Sequence, residues 1–450
     1  MFDTVLITNR GEIAVRIQRA CHQLGLKTVA AHSTADANAG YLAHADLALC
    51  IGPATPALSY LNQAAILLAA EVSGAQAIHP GYGFLSENAD FAAAVENAGL
   101  TFIGPAAASI RTMGDKVAAK RAMLGAGVPC VPGSDTALST NPAEILETAE
   151  AIGYPVIVKA SGGGGGRGMR VVHESARLLE AVAITREEAR HAFANAGLYI
   201  EKFLANPRHI EIQVICDAFG NALCLGSRDC SLQRRNQKVV EEAPAHGIAA
   251  EKIASIGEHC LRACRLLGYR GVGTFEFLYE DGNFYFIEMN TRLQVEHTVT
   301  EMVTGIDIVV QQLRIARGEQ LAFTQADVVE RGCALECRIN AEDPLTFAPC
   351  PGRVARWDVP GGFGIRLDSH IRAGDSVSPH YDSMIGKLIA HGGSRAEVFA
   401  RMQVALGELA VEGIQTNIAM HRELARDADV MAGKVDNHFL ERWLAARSRS

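Results

Sequence analysis

Five consecutive glycines, Gly162 to Gly166, follow Ser161, and strand-like runs flank them on both sides. Pro155-Val156-Ile157-Val158-Lys159 precedes the tract and Met169-Arg170-Val171-Val172 follows it. A dinucleotide-binding turn needs strand, glycines and then helix, so the G-x-G-x-x-G match at Gly163, Gly165 and Gly168 does not carry that meaning. A P-loop is excluded as well, because no Gly-Lys-Ser/Thr closes the tract. What remains is a hairpin tip without Cβ atoms, whose backbone N–H groups can close over a polyphosphate. Only nine lysines occur in the chain, so their placement is informative. Lys159 ends the strand before the glycines, where a long cation suits a phosphate, and Lys116 opens a helix expected at 116–126.

A second constraint lies in Thr274-Phe275-Glu276-Phe277-Leu278-Tyr279 and Phe284-Tyr285-Phe286-Ile287-Glu288-Met289-Asn290, joined by Glu280-Asp281-Gly282-Asn283. This reads as a β-hairpin. A two-residue turn at 281–282 would pair Glu276 with Ile287 and put the two glutamates on opposite faces. A three-residue loop, 281–283, pairs Glu276 with Glu288 directly. Facing carboxylates repel unless a counter-ion lies between them. A hard divalent cation on Glu276, Glu288 and the Asn290 amide oxygen resolves that repulsion. The hairpin is therefore expected to close through a loop of odd length, with Gly282 at positive φ.

The rest of the 450 residues divides into three regions. Up to about residue 115, short apolar runs alternate with helical patterns: Thr4 to Thr8, a helix carrying Ile13, Ile17, Ala20 and Leu24 on one face, Lys27 to Ala31, Ala77-Ile78 and Thr101 to Ile103. That alternation implies an open parallel sheet with its ligand end at the strand C-termini. Residues 116–317 mix helices (116–126, 142–151, 251–267) with β-runs around the glycine tract. Residues 332–446 are β-rich, with helices at 396–409 and 437–446. The fold class is thus α/β and α+β.

Composition narrows the function. The net charge of −8 argues against sequence-independent nucleic-acid binding. No apolar run approaches the length of a membrane helix, and no basic leader precedes the first strand, so a cytoplasmic protein is expected. The eleven cysteines include no C-x-x-C pair, which argues against zinc or a disulfide framework. Two further clusters stand out. In Asn290-Thr291-Arg292-Leu293-Gln294-Val295-Glu296-His297 the planar fork of Arg292 suits an anion or an ion pair with Glu296. Asp229-Cys230-Ser231-Leu232-Gln233-Arg234-Arg235-Asn236-Gln237-Lys238 is a locally basic stretch, a binding segment or a solvated loop.

With these residues in place the chain resembles the biotin carboxylases, the ATP-grasp subunits of bacterial acetyl-CoA carboxylase. The resemblance runs from Asn9-Arg10-Gly11-Glu12-Ile13-Ala14 almost to the end. It is carried by His79-Pro80-Gly81-Tyr82-Gly83-Phe84-Leu85-Ser86-Glu87-Asn88, Lys159-Ala160-Ser161 with its glycines, and Phe286-Ile287-Glu288-Met289-Asn290-Thr291-Arg292. Glu336-Cys337-Arg338-Ile339-Asn340-Ala341-Glu342 and Tyr381-Asp382-Ser383-Met384-Ile385-Gly386-Lys387 belong with them. It implies an ATP-grasp fold with an N-terminal open parallel-sheet domain (1–115), an ATP-grasp region (116–317) with a glycine-rich lid at 131–204, and a β-rich C-terminal domain (332–446).

By the same resemblance ATP would meet Lys116, Lys159, Gly165, Gly166, Glu201, Lys202, Leu204, His209, Gln233 and Asn236. Glu276, Glu288 and Asn290 would hold Mg²⁺ or Mn²⁺. Lys238, Arg292 and the Val295 backbone would bind bicarbonate, and Glu296 would deprotonate it. Arg338 would stabilise the biotin enolate, with Tyr82 nearby. Arg19, Phe363 and Arg366 match a homodimer interface. The implied reaction passes through carboxyphosphate. Its implied partners are a biotin carboxyl carrier protein and carboxyltransferase subunits, because no lysine here adjoins a methionine as a biotinylation site would. Another ATP-grasp ligase would not need Arg292, Val295, Glu296 and Arg338. A non-catalytic ATP-sensing subunit would have no use for the intact set. Two positions depart from the family pattern: Asn236, usually His, and Thr298, usually Pro.

Overall fold

The computed structural model describes residues 2–134, 137–160, 168–193 and 197–447. The glycine tract, with Gly165 and Gly166, lies outside the described residues. Five parallel strands open the chain, Thr4–Ile7, Lys27–Ser33, Leu47–Gly52, Ala77–His79 and Thr101–Phe102. Their spatial order is third, second, first, fourth, fifth. Val5, Leu6 and Ile7 are fully buried, as a strand covered on both faces requires. The direction of winding reverses between the first and fourth strands, which pair in parallel. A crevice opens at such a switch point. The Asn9 amide ties its two sides together by donating to the carbonyls of Pro80 (2.7 Å) and Tyr82 (2.6 Å). Glu12, Tyr82 and Glu87 follow those two strands and lie on this side of the sheet.

A three-stranded antiparallel sheet comes next, with Val156–Ala160 between Met169–Val172 and Leu198–Lys202. The helices Pro142–Ile152 and Leu178–Phe193 pack on it. The largest element is an eight-stranded antiparallel sheet. Its order is Asn283–Asn290, Gly271–Glu280, Arg208–Cys216, Ala222–Arg234, Gln237–Ala243, Cys333–Asn340, Met384–Gly392 and Ile365–Ser369. This sheet runs without interruption from the central region into the C-terminal one, so 317–332 divides the sequence but not the sheet.

The 274–290 hairpin corrects one expectation. Glu280 pairs with Asn283, so the loop is the two-residue turn Asp281-Gly282, with φ of +50° and +80°. Two positive φ values in succession make a type I′ turn, whose twist suits the strands it joins. Glu276 nonetheless faces Glu288, because the register shifts by one residue beside Ile287. A β-bulge does the work expected of an odd loop. The Arg235-Asn236 turn is built the same way, with φ of +49° and +64°. Asparagine tolerates that region better than most residues, which gives Asn236 a backbone reason to be there.

At Gly282 a Cβ would lie 2.9 Å from Lys252 Nζ as well as holding a left-handed φ. Gly282→Ala is expected to cost about 1 kcal/mol, read as a lower thermal midpoint. Gly361→Ala, with open space around it, is expected to leave the midpoint where it is.

Candidate active site

Register places charges in a row across the large sheet. Glu288 pairs with Glu276, Glu276 with Glu211, and Glu211 with Arg228. Cross-strand partners share a face. Three carboxylates therefore lie side by side, two of them buried. Burial alone would push such acids up, and the cations around them decide the outcome. Arg228, fully buried, donates from Nε to Glu211 Oε2 at 2.8 Å and spends its other N–H groups on Gln213, Thr274, Gln294 and Thr300. Lys238 Nζ donates to Glu276 Oε1 (2.8 Å), to Glu296 Oε1 (2.7 Å) and to Glu211. His209 Nε2 lies 3.2 Å from Glu276 and 3.5 Å from Glu211.

The charge states follow. Burial disfavours the Lys238 ammonium, but Glu211, Glu276 and Glu296 outweigh it and raise its pKa well above the usual value. Burial likewise opposes a charged His209, yet Glu276 and Glu211 bring it up to about 9. Against their own burial, Glu211 and Glu276 are held well below the carboxylate range, chiefly by Lys238. Glu288 moves the other way. Although its side chain reaches the surface, partial desolvation raises it, and the charges of Glu276 and Glu87 raise it further. The outer end of the row is thus short of positive charge, which fits a hard divalent cation between Glu276 and Glu288. Asn290 does not offer its oxygen there: its Nδ2 donates to Glu276 Oε1 (2.7 Å) and its Oδ1 accepts from Arg292 Nη2 (2.8 Å).

Arg292 also donates from Nε to Glu87 Oε2 at 2.8 Å, which joins the parallel-sheet unit to the site. Glu296 is buried just before the helix His297–Thr304. Burial raises its carboxyl, Lys238 and Arg338 lower it, and it ends below the usual range, hence ionised at neutral pH. Arg338 donates from Nη2 to Glu296 Oε2 (3.0 Å) and from Nε to Glu241 Oε1 (2.5 Å). Its backbone carbonyl accepts from Asn417 Nδ2 (2.9 Å) and lies 2.8 Å from His421 Nε2. The Val295 carbonyl accepts from Lys387 Nζ (2.8 Å), so its N–H is the group suited to an anion. The Tyr82 hydroxyl donates to Glu12, whose carboxyl lies 3.3 Å from Lys387.

Five more of the expected residues, Lys159, Lys202, Leu204, Gln233 and Asn236, gather around a second feature. A cavity of about 340 Å³ separates the three-stranded sheet from the large one. Val131, Ile157, Met169, Phe203, Leu204 and Leu278 make apolar walls, a shape and chemistry suited to a flat aromatic base. Lys159, Lys202, Gln233 and Asn236 line its polar side. Lys159 Nζ donates to Glu201 Oε2 at 2.6 Å, and Lys120 stands 3.6 Å from the same carboxylate. Lys202 directs its ammonium to the carbonyls of Gly153 (2.9 Å) and Tyr154 (3.0 Å), so its side chain braces the small sheet. Lys116 opens the helix Lys116–Gly125, and its charge acts on Glu288.

Glu211, Arg228, Glu87, Gln294, Glu241 and Lys387 were not expected in these roles. For Glu211 a signal existed: it lies two residues beyond His209, on the same face of a strand otherwise apolar from Ile210 to Ile215 except Gln213. Arg228 is legible only once the strands are paired.

The same arrangement has relatives. Residues 1–110 match the family Biotin carboxylase, N-terminal domain, residues 115–324 the Carbamoyl-phosphate synthase L chain, ATP binding domain, and residues 336–442 the Biotin carboxylase C-terminal domain. The biotin carboxylase of Pseudomonas aeruginosa is 60% identical over 444 residues, covering 99% of each chain. Biotin carboxylase 1 of Bacillus subtilis is 48% identical over 444 residues, covering 98% of each chain. Among solved structures, the Campylobacter jejuni biotin carboxylase in a β,γ-ATP complex superposes with a TM-score of 0.92 at 46% identity, over 98% of this chain and 99% of that one. The biotin carboxylase domain dimer of Hydrogenobacter thermophilus 2-oxoglutarate carboxylase, with MgADP, ADP and bicarbonate, gives 0.91 at 46%, over 98% of each.

Lys238 carries the clearest energetic test. Lys238→Gln leaves Glu211, Glu276 and Glu296 with one cation fewer in a buried setting, at a cost of about 3 kcal/mol at pH 8. Carboxyls without that cation shift upward, so the folded variant takes up protons that the unfolded chain does not. The deficit against the wild-type chain is therefore expected to shrink between pH 8 and pH 5.5, as read by unfolding midpoints at each pH.

Proposed function

The chain belongs to the biotin carboxylase family, and we propose that it transfers a carboxyl group from bicarbonate to biotin, with ATP converted to ADP and phosphate. The observation that carries this reading is one focus: Lys238 and Arg338 donate to the two oxygens of Glu296, and Lys238 also reaches Glu276, which faces Glu288. A non-catalytic ATP sensor would need the cavity but not that focus.

The roles follow from the charges. The apolar cavity beside Leu204 takes the adenine, with backbone groups of Lys202 and Leu204 at its edge and Asn236 and Gln233 on the polar side. Lys116, Lys159 and His209 meet the phosphates, with Glu201 holding Lys159. Glu276 and Glu288 would hold Mg²⁺, with Asn290 adjoining, and a bound Mg²⁺ would offset charge on the transferring phosphoryl oxygens. Lys238, Arg292 and the Val295 N–H bind bicarbonate, and ionised Glu296 accepts its proton as an oxygen attacks the γ-phosphorus. Carboxyphosphate then separates into CO₂ and phosphate. The phosphate takes the proton from the biotin ureido nitrogen, and that nitrogen attacks CO₂. Arg338 uses only two of its donors on carboxylates, and its others can face the ureido oxygen as negative charge develops there.

The wider setting belongs to the same proposal. Three regions, 1–115, 116–317 and 332–446, divide the work between a biotin-facing crevice, the nucleotide site and the Arg338 strand. Biotin arrives on a separate carrier protein, and a carboxyltransferase passes the carboxyl group to an acyl-CoA or similar acceptor. A homodimer is supported by Phe363, 87% exposed beneath the Arg401 guanidinium, and Arg19 and Arg366 are the further interface residues that the resemblance implies. Eleven unpaired cysteines favour a reducing, cytoplasmic setting, and no helix among the described residues is long and apolar enough to cross a membrane.

Arg338→Ala tests the division of labour. Bicarbonate-dependent ATP hydrolysis should largely persist, while biotin carboxylation falls by about 10²-fold, the scale of one lost oxyanion donor. Equal loss of both activities would remove Arg338 from the biotin step.

A further inference from the structure

Behind Arg338 lies a carboxyl pair that the reaction as described does not use. Glu241 and Glu336 are directly paired across neighbouring strands, and both are fully buried. Their oxygens are unevenly served. Glu241 Oε1 accepts from Arg338 Nε, and Glu336 Oε2 accepts from the Thr298 hydroxyl. Glu241 Oε2 and Glu336 Oε1 are buried with no partner. Two orphan oxygens on facing acids are what one shared proton would satisfy, since a protonated carboxyl donates where a carboxylate only accepts.

The surrounding charges do not neutralise the pair. Arg338, from the Glu336 strand, already serves Glu241 and Glu296. Lys387, from the next strand, serves Glu12 and the Val295 carbonyl, and Glu12 also accepts from Tyr82. Lys238 serves Glu211, Glu276 and Glu296. Beyond them, Arg366 is paired with Asp368 and Glu301. His297, at the start of the helix above, is buried and held neutral by burial and by Lys387 and Arg16. Glu336 has no ion-pair partner of its own among the described residues. Burial accordingly raises Glu336 to about 8 and Glu241 to about 7.

We propose that Glu241 and Glu336 hold one proton between them, that the Thr298 hydroxyl tunes how firmly it is held, and that this proton sets the charge Arg338 can turn toward biotin. This rests on the assignment of Arg338 to the biotin step. With the proton in place, two negative charges, one on Glu296 and one on the pair, face the guanidinium. Without it there are three, and the field left for a developing ureido oxyanion is weaker. A hydroxyl donating to a carboxylate favours the ionised form. Thr298, where the chain departs from the family pattern, therefore lowers the pH at which the proton leaves. Thr298 and Glu336 are positioning residues, acting through Glu241 on Arg338.

The test is the ratio of biotin carboxylation to bicarbonate-dependent ATP hydrolysis, measured with free biotin from pH 6.5 to 9.5. The ratio should fall several-fold on the alkaline side in the wild-type chain. Thr298→Val should move that fall upward by about one pH unit, the scale of one hydrogen bond to a charged group, and Thr298→Ser should restore it. Glu336→Gln, which cannot lose the proton, should abolish the fall. A Thr298→Val profile identical to wild type, or one lowered equally at every pH, overturns the proposal, as does an alkaline fall that survives in Glu336→Gln. Arg338→Ala keeps the two readings apart. An unchanged ratio there removes Arg338 from the biotin step, whereas a collapsed ratio with Thr298→Val indistinguishable from wild type removes only the shared proton.

Discussion

Three glutamates in register, Glu288, Glu276 and Glu211, lie across adjacent strands of one sheet, and the site is organised around neutralising them. Ionised acids placed this close inside a protein are tolerated only where cations and hydrogen bonds replace the lost water. Arg228 closes the inner end of the row from the next strand. Lys238 bridges Glu211 and Glu276 to Glu296, and through Glu296 the network reaches Arg338. One end of the row remains under-neutralised, at Glu288. Under the proposed function, that imbalance is what a divalent cation at the hairpin would offset.

The other units serve this face. The parallel sheet contributes Glu87, Glu12 and Tyr82 from its switch point, and Glu87 holds Arg292. The C-terminal strands extend the large sheet and so fix Arg338 relative to Lys238 by backbone register. Asn417 adds a side-chain clamp on the Arg338 carbonyl, from the turn before the helix Ile418–Leu424. The three-stranded sheet faces the large one across the cavity, and Lys120, from the helix Lys116–Gly125, stands 3.6 Å from its Glu201 carboxylate.

Much of the architecture was legible because it is written in local pattern. The β-α-β opening, the helices at 116–126 and 142–151, and the existence of the 274–290 hairpin follow from periodicity and turn residues. The hairpin shows the limit. Asp281-Gly282 fits a two-residue turn, and parity then required a bulge at Ile287 that no side-chain type announces. Glu211 and Arg228 were hidden for a related reason. They are single charges in apolar strands, 17 residues apart and brought together by a register that itself contains an irregularity. Lys202 was assigned through its backbone, but its ammonium has a structural task set by the carbonyls of Gly153 and Tyr154. Asn236 sits in a locally basic stretch that gives no reason for an asparagine, and its left-handed backbone supplies one.

The most direct measurement is the Mg²⁺ dependence of bicarbonate-dependent ATP hydrolysis in the wild-type chain and in Glu288→Gln. If the facing carboxylates hold the cation, the free Mg²⁺ needed for half-maximal rate should rise by about tenfold or more, since losing one carboxylate ligand removes at least about 1.4 kcal/mol of binding. An unchanged Mg²⁺ requirement with an otherwise altered rate would contradict the central claim that the in-register glutamates exist to hold a divalent cation over the nucleotide phosphates.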